Sequence, residues 1–312
     1  TYGGYSLPVP FGTAWDGPDG WPSRGMSSIG LPFSPSAPSI SGAEIEIRAE
    51  GWEFPDWLEV GGDMKGARGR IHFGATTHAR ADRHHTLALN VFIDPSLLTG
   101  GTEYGENLGS GMIIEEHLTS IINTFNDLFR GEPDLKMGVV GILPEGFAEV
   151  SDIGRLTANA SPEAEAQSLN MFLIESISGG SGLDVSTLGR AGGRPGAALP
   201  GNVSGYFYNG VAVAAGSHRS ESGAIHPLMS DTAAHEVGHY LGLFHTSEVG
   251  GEYHDPLADT PECTTDFTYD SDTWVDDCNE STYFNLMWPV SSGSYDVTDD
   301  QLWVASSHPL VK

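Results

Sequence analysis

Residues 235–245 read His235-Glu236-Val237-Gly238-His239-Tyr240-Leu241-Gly242-Leu243-Phe244-His245, three histidines, a glutamate and a glycine at spacings that suit one metal ion. The preceding Asp231-Thr232-Ala233-Ala234 reads as a helix start. On a helix, His235 and His239 lie one turn apart, so both imidazoles leave the same face and can share an ion. Glu236 sits beside the first of them, placed to hold and deprotonate a water on the metal rather than to bind the metal itself. Gly242, three residues past the second histidine, lets the chain leave the helix with positive φ and swing His245 back as a third ligand. Three neutral nitrogens with one open position make a catalytic rather than a structural zinc site. With this chain's own residue frequencies, the five fixed positions have a chance expectation on the order of 10⁻⁴, which leaves histidines of a plain core helix a poor explanation.

This extended motif resembles the metzincin clan of zinc endopeptidases. The likeness continues at Asn285-Leu286-Met287-Trp288, similar to the Met-turn beneath the metal, with Met287 as its methionine. Within the clan the chain is most similar to the pappalysin family. Thr246 directly follows the third histidine, the run Asp255-Pro256-Leu257-Ala258-Asp259-Thr260-Pro261 follows it, and Asn285 stands two residues before Met287. The resemblance implies an α+β fold: a mixed twisted sheet with the active-site helix above a cleft, and an irregular C-terminal subdomain with its own helix. An extended polypeptide substrate would lie across the cleft. Relatives bind calcium between the third histidine and the Met-turn, where acidic residues supply the oxygens that ion requires. Asp255, Asp259 and the carbonyl of Thr260 are the expected calcium ligands, against the alternative of a solvated acidic loop. Many relatives carry a tyrosine two residues after the Met-turn methionine, where this chain has Pro289. Zinc is then the expected principal electrophile, and the nearest phenols in sequence, Tyr283 and Tyr295, are equally well read as packing residues.

The elements that must position these residues follow from periodicity. Residues 87–93 read as a buried strand. Over residues 112–129, Ile114, Leu118, Ile121, Ile122, Phe125 and Phe129 recur at three- and four-residue steps, the stripe of a helix that covers a sheet. Residues 137–143, 169–177 and 210–215 read as further strands, and the glycine-rich residues 179–196 as a loop without phosphate-binding spacing. By order along the chain, the strand at 169–175 is expected at the edge lining the cleft. There Leu169, Asn170, Met171 and Phe172 would pair an extended substrate through main-chain hydrogen bonds. Residues 1–85 form a β-rich, loop-heavy segment with strand candidates at 43–48 and 70–73, and His72, His78, His84 and His85 are expected at its surface. The catalytic domain is expected over 86–312, with an upper subdomain at 86–245 and a lower one at 246–312.

Composition sets the limits. A chain of 312 residues can bury a sizeable core. Fourteen basic against 42 acidic residues give a net charge of −28, which makes nucleic acid and anionic membranes poor partners. No apolar stretch approaches a membrane span, so membrane insertion is not expected. The acidity suits calcium, a cationic substrate or a salty medium alike. Cys263 and Cys278 could close a disulfide, furnish two metal thiolates or stay free, and a disulfide would favour an oxidising compartment. A start at Thr1, with neither an initiator Met nor a signal segment, leads to the expectation of a processed or trimmed exported protein. The function expected is that of a secreted zinc-dependent endopeptidase acting on polypeptides through a zinc-bound water activated by Glu236. The alternative is a protein-binding or adhesion module on a catalytically passive scaffold, and the intact Glu236 argues against it. Hydrolysis of a non-peptide bond has no supporting residue.

Overall fold

A computed structural model of the chain describes residues 85–98, 111–147, 149–150, 156, 168–178, 187–192, 210–218, 227–248, 254–263, 278, 280–290, 293, 296–308 and 310–312. The strand candidates at 43–48 and 70–73, His72, His78, His84 and Tyr295 lie outside them. In chain order the elements are β1 (Thr86–Ile93), α1 (Gly111–Leu128), β2 (Asp134–Ile142), β3 (Glu149–Val150), β4 (Leu169–Ile174), β5 (Ser176–Ile177), β6 (Gly189–Ala191), β7 (Val211–Ala214), α2 (Leu228–Leu241), α3 (Glu280–Tyr283) and α4 (Asp299–Ser306). Five strands form one mixed sheet in the order β2-β1-β4-β7-β6. Neighbours are parallel except β6, which runs antiparallel to β7. This is the α+β arrangement of a mixed sheet with helices that the sequence led us to expect.

The central strands read as near-continuous apolar runs because both faces of the sheet are covered. On one face Leu89, Val91, Leu169, Met171, Val211 and Val213 pack with side chains of α1 and α2. On the other, Phe92, Phe172, Ile174 and Ala212 join Leu143, Phe147 and Leu156. The predicted stripe of α1 supplies the covering layer: Leu118, Ile121, Phe125 and Phe129 are buried, and the last two rings stack with centroids 4.1 Å apart. Two buried amides interrupt the apolar runs and satisfy each other, as buried polar groups must. Asn90 Nδ2 donates to Asn170 Oδ1 at 3.0 Å, and Asn90 Oδ1 accepts from the Val139 N–H where the β1–β2 register shifts.

Four expectations are corrected. The strand containing Leu169, Asn170, Met171 and Phe172 is at the centre of the sheet, between β1 and β7, with every residue of β4 buried. Its backbone groups serve two neighbours, so it has no free edge for a substrate. The edge on the side of α2 is β6, inside the stretch read as a loop; its three residues carry no apolar alternation to announce a strand. His85, expected at the surface, is buried, because its carbonyl accepts from the Asp134 N–H where β1 and β2 begin to pair. Finally, α2 begins at Leu228, immediately after Pro227, which leaves Asp231 in the first turn, favourable toward the helix dipole, rather than at the start.

Candidate metal centre

The helix α2 lies against the sheet with Ala233, Ala234, Val237, Tyr240 and Leu241 in the core, and this burial holds its ligand-bearing face in one orientation. His235 and His239 stand one turn apart, with ring centroids 4.6 Å from each other. The helix stops at Gly242, where φ is +112°, a conformation that costs glycine little and other residues much. The Gly242 N–H bonds the His239 carbonyl and the Leu243 N–H that of Gly238, a Schellman wrap that reverses the chain and returns His245 to the site. The side-chain ligand atoms of His235, His239 and His245 all lie within 4.8 Å of one another.

The outer nitrogens determine what the inner ones can do. Nδ1 of His235 donates to the Leu286 carbonyl at 2.7 Å, and Nδ1 of His239 to the Leu243 carbonyl at 2.8 Å. A carbonyl can only accept, so both rings carry their proton on Nδ1. His245 Nδ1 faces the Glu248 carboxylate at 3.0 Å and is a donor by the same reasoning. With Nδ1 engaged outside, each ring turns its Nε2 side toward the site, the outer-sphere arrangement that orients imidazole ligands. The Nε2 atoms of His239 and His245 are 3.0 Å apart, close enough to share one proton or one cation. Two nitrogens on a tetrahedral zinc, each bonded at about 2.0–2.1 Å, stand about 3.3 Å apart, so the donor set fits that ion.

Beneath the ligands, Met287 is fully buried, and its Sδ lies where a Cβ on Gly238 would come within 2.8 Å of it. That contact explains the glycine between the two helical histidines. The turn is held from three sides. The Thr246 N–H donates to the Met287 carbonyl, joining the chain after His245 to the turn. Asn285 Oδ1 accepts the Met287 N–H, and its amide forms a reciprocal pair with the buried Gln301 of α4, both bonds 3.0 Å. Gln301 also completes the capping box of α4 with Thr298. A disulfide joins Cys263 and Cys278, which pack with Trp288 and, at the margin, Tyr283 and Val290. Tyr283 is thus a packing side chain, its ring tilted against that of Phe284 with centroids 4.6 Å apart.

Of the acidic residues expected to bind calcium, Asp255 and Thr260 come together. Asp255 Oδ1 accepts from the Leu257 N–H and from Thr260 Oγ1, while Asp255 Oδ2 is buried without a protein partner. Burial, and secondarily the charges of Asp259 and Glu262, push the Asp255 carboxyl up to about 7, against the two hydrogen bonds that lower it. Asp259 serves another element: its two oxygens accept from Thr298 Oγ1 and the Asp300 N–H, fastening α4. Glu248 and Gln301 were missed in the sequence, since an acid three residues past a loop histidine and a glutamine in a terminal helix match no periodic signal.

Three convergent imidazoles, with a glutamate next in the chain to the first and a methionine turn beneath them, make a candidate metal centre. The particular type follows from comparison: residues 195–302 match the family model of the M43 peptidases, described as pregnancy-associated plasma protein-A. Over that region, which ends at residue 302 and takes in about a third of the chain, the sequence is similar to the pappalysin-type metallopeptidases. It is also similar to the crystal structure of metalloproteinase-II from Bacteroides fragilis, at 15% identity and a TM-score of 0.36, over 73% of this chain and 54% of that one. The chain therefore spans about half the length of that metalloproteinase. No curated protein matches.

Proposed function

We propose that this chain acts as a secreted zinc endopeptidase that cuts an extended polypeptide lying along β6. The observation that carries this reading is the convergence of the ring nitrogens of His235, His239 and His245, each ring fixed through its Nδ1, with the buried Glu236 next in the chain to the first. Zinc, when held by His235, His239 and His245, supplies the Lewis acidity that acidifies a water and polarises a peptide carbonyl. Glu236 accepts the proton of the attacking water and delivers it to the amine nitrogen, as the new carbon–oxygen bond forms and the carbon–nitrogen bond breaks. At 7% exposure Glu236 is largely shielded from bulk water, which strengthens its electrostatic hold on the reacting groups.

Substrate placement follows from the ladder. Ala214 N–H bonds the Leu188 carbonyl and Gly192 N–H the Gly210 carbonyl. In an antiparallel pair the hydrogen-bonded residues alternate, so 188, 190 and 192 face β7 while the backbone groups of Gly189 and Ala191 point to the open edge. Those groups suit an added substrate strand. The buried, unpaired Asp255 Oδ2 and the Thr260 carbonyl favour calcium as a structural ion, and the disulfide favours an oxidising, extracellular setting.

The test is to incubate the protein with mixed polypeptides, with and without a zinc chelator, and to sequence the products. Internal cuts that vanish on chelation and return with zinc are expected. Products trimmed only from chain ends, or cleavage indifferent to the chelator, would contradict the reading.

A further inference from the structure

We propose that Gly189 is a positioning residue for Glu236: the bare place on the edge strand that leaves room for the general base and fixes its reach. This rests on the endopeptidase reading above. A Cβ built on Gly189 would lie 2.6 Å from Glu236 Cγ, 2.6 Å from Oε1 and 2.9 Å from Cδ, closer than real Cβ atoms approach any neighbour. The Glu236 side chain thus lies directly over the Gly189 Cα. The glycine is not required by backbone conformation, since Gly189 is not among the residues with positive φ, and an L-residue could adopt its extended geometry. Space alone demands it.

Which partner would yield to a methyl group is decided by what holds each one. The strand is tied to β7 on both sides of Gly189 by the Ala214–Leu188 and Gly192–Gly210 bonds. The α2 backbone is fixed by its buried face and by the His235 bond to the Leu286 carbonyl beneath it. Against two backbones held in register, the Glu236 side chain has its own torsions by which to yield, so its terminal atoms are the part that shifts. A side chain at 189 therefore displaces the carboxylate while leaving sheet, helix and metal ligands in place. A general base must sit within hydrogen-bond reach of the proton it takes, and a misplacement of about 1 Å costs about 10²-fold. The edge strand then has two tasks at neighbouring atoms: its open main chain aligns the substrate, and its missing side chain aligns the base.

The experiment compares Gly189→Ala, Glu236→Ala and the double variant in the full-length, zinc-loaded chain, reading metal content, thermal stability, kcat and KM, with a crystal structure of Gly189→Ala. Expected for Gly189→Ala are unchanged zinc content, a kcat lower by about 10²-fold with KM nearly unchanged, and a carboxylate displaced while β6 stays in place. The double variant should be no slower than Glu236→Ala alone, because without a carboxylate there is nothing left to misplace. A Gly189→Ala enzyme with wild-type kcat and an unmoved Glu236, or a Gly189→Ala loss that persists undiminished in the Glu236→Ala background, overturns the proposal. If Gly189→Ala fails to fold, recovery of folding in the double variant still locates the conflict at this pair, and failure of both overturns it. Should the wild-type chain cut no peptide, the endopeptidase reading falls, and the position of the carboxylate in the Gly189→Ala structure still decides the inference.

Discussion

The strands β4 and β6 belong to one sheet, separated only by β7, and are built for opposite tasks. All six residues of β4 are buried, it has partners on both edges, and its side chains enter the cores on both faces. The three residues of β6 are half-buried and among the described residues have one partner strand, with the main-chain donors and acceptors of Gly189 and Ala191 turned away from it. A strand can contribute most to stability only by giving up its free edge, and it can receive a ligand strand only by keeping one. On the proposed reading the two duties fall on different strands, so stability and recognition should respond separately to substitution.

The largest effect should come from Phe172→Ala in β4. Phe172 is fully buried and stacks on Phe92 with ring centroids 5.8 Å apart. Removing a buried phenylalanine side chain costs about 3–5 kcal/mol. Chemical denaturation should show that loss, while kcat/KM per folded molecule stays at the wild-type value; a KM raised at unchanged stability would return β4 to the substrate.

Calcium should come next, on the stability side of the same division. At a concentration 100-fold above its dissociation constant, a bound ion adds about 2.7 kcal/mol, so chelation should lower the unfolding midpoint by a corresponding amount at pH 8. The sign of the pH dependence is set by Asp255. Its carboxyl is protonated in the folded chain up to about 7, well above its ordinary range. The folded state of the chelated protein therefore binds a proton that the unfolded chain has released, and its stability falls as pH rises from about 4 to about 7. Calcium should remove that slope. Midpoints at pH 5 and pH 8, with and without chelator, check both statements, and the absence of any calcium effect at pH 8 would refute the site.

The smallest effect belongs to β6. Ala191→Pro removes one outward N–H at an edge position where proline is tolerated. The loss of one substrate hydrogen bond, about 1–1.5 kcal/mol, should reduce kcat/KM about tenfold with little change in thermal stability. A variant that loses stability instead would show that this edge is structural.

The same contrast explains what could be read in advance. The convergence of His235, His239 and His245 was legible because a helix turns a spacing of four into a shared face, and Gly242 marks the exit that brings in His245. β1, β4, β7 and the stripe of α1 were legible because burial on both faces leaves unbroken apolar runs. What escaped were features that depend on topology rather than composition. The sequence Gly189-Arg190-Ala191 becomes a strand only because β7 is there to pair with it, and β4 was placed at the edge from chain order alone, which cannot reveal that a later strand crosses to its far side. Gln301, Glu248 and the second role of Asp259 are long-range or loop contacts with no period to betray them. The loss of the Met-turn tyrosine was plain at Pro289. The packing of Tyr283 against the disulfide was not, because it depends on where residue 278 folds back.

Glu236→Ala, assayed for bound zinc and for peptide cleavage in the same preparation, tests the central claim most directly. Removing the general base should lower the cleavage rate by about 10²- to 10⁴-fold, with zinc still held by His235, His239 and His245 at the wild-type stoichiometry. A variant that keeps its zinc and cleaves at the wild-type rate would contradict the account.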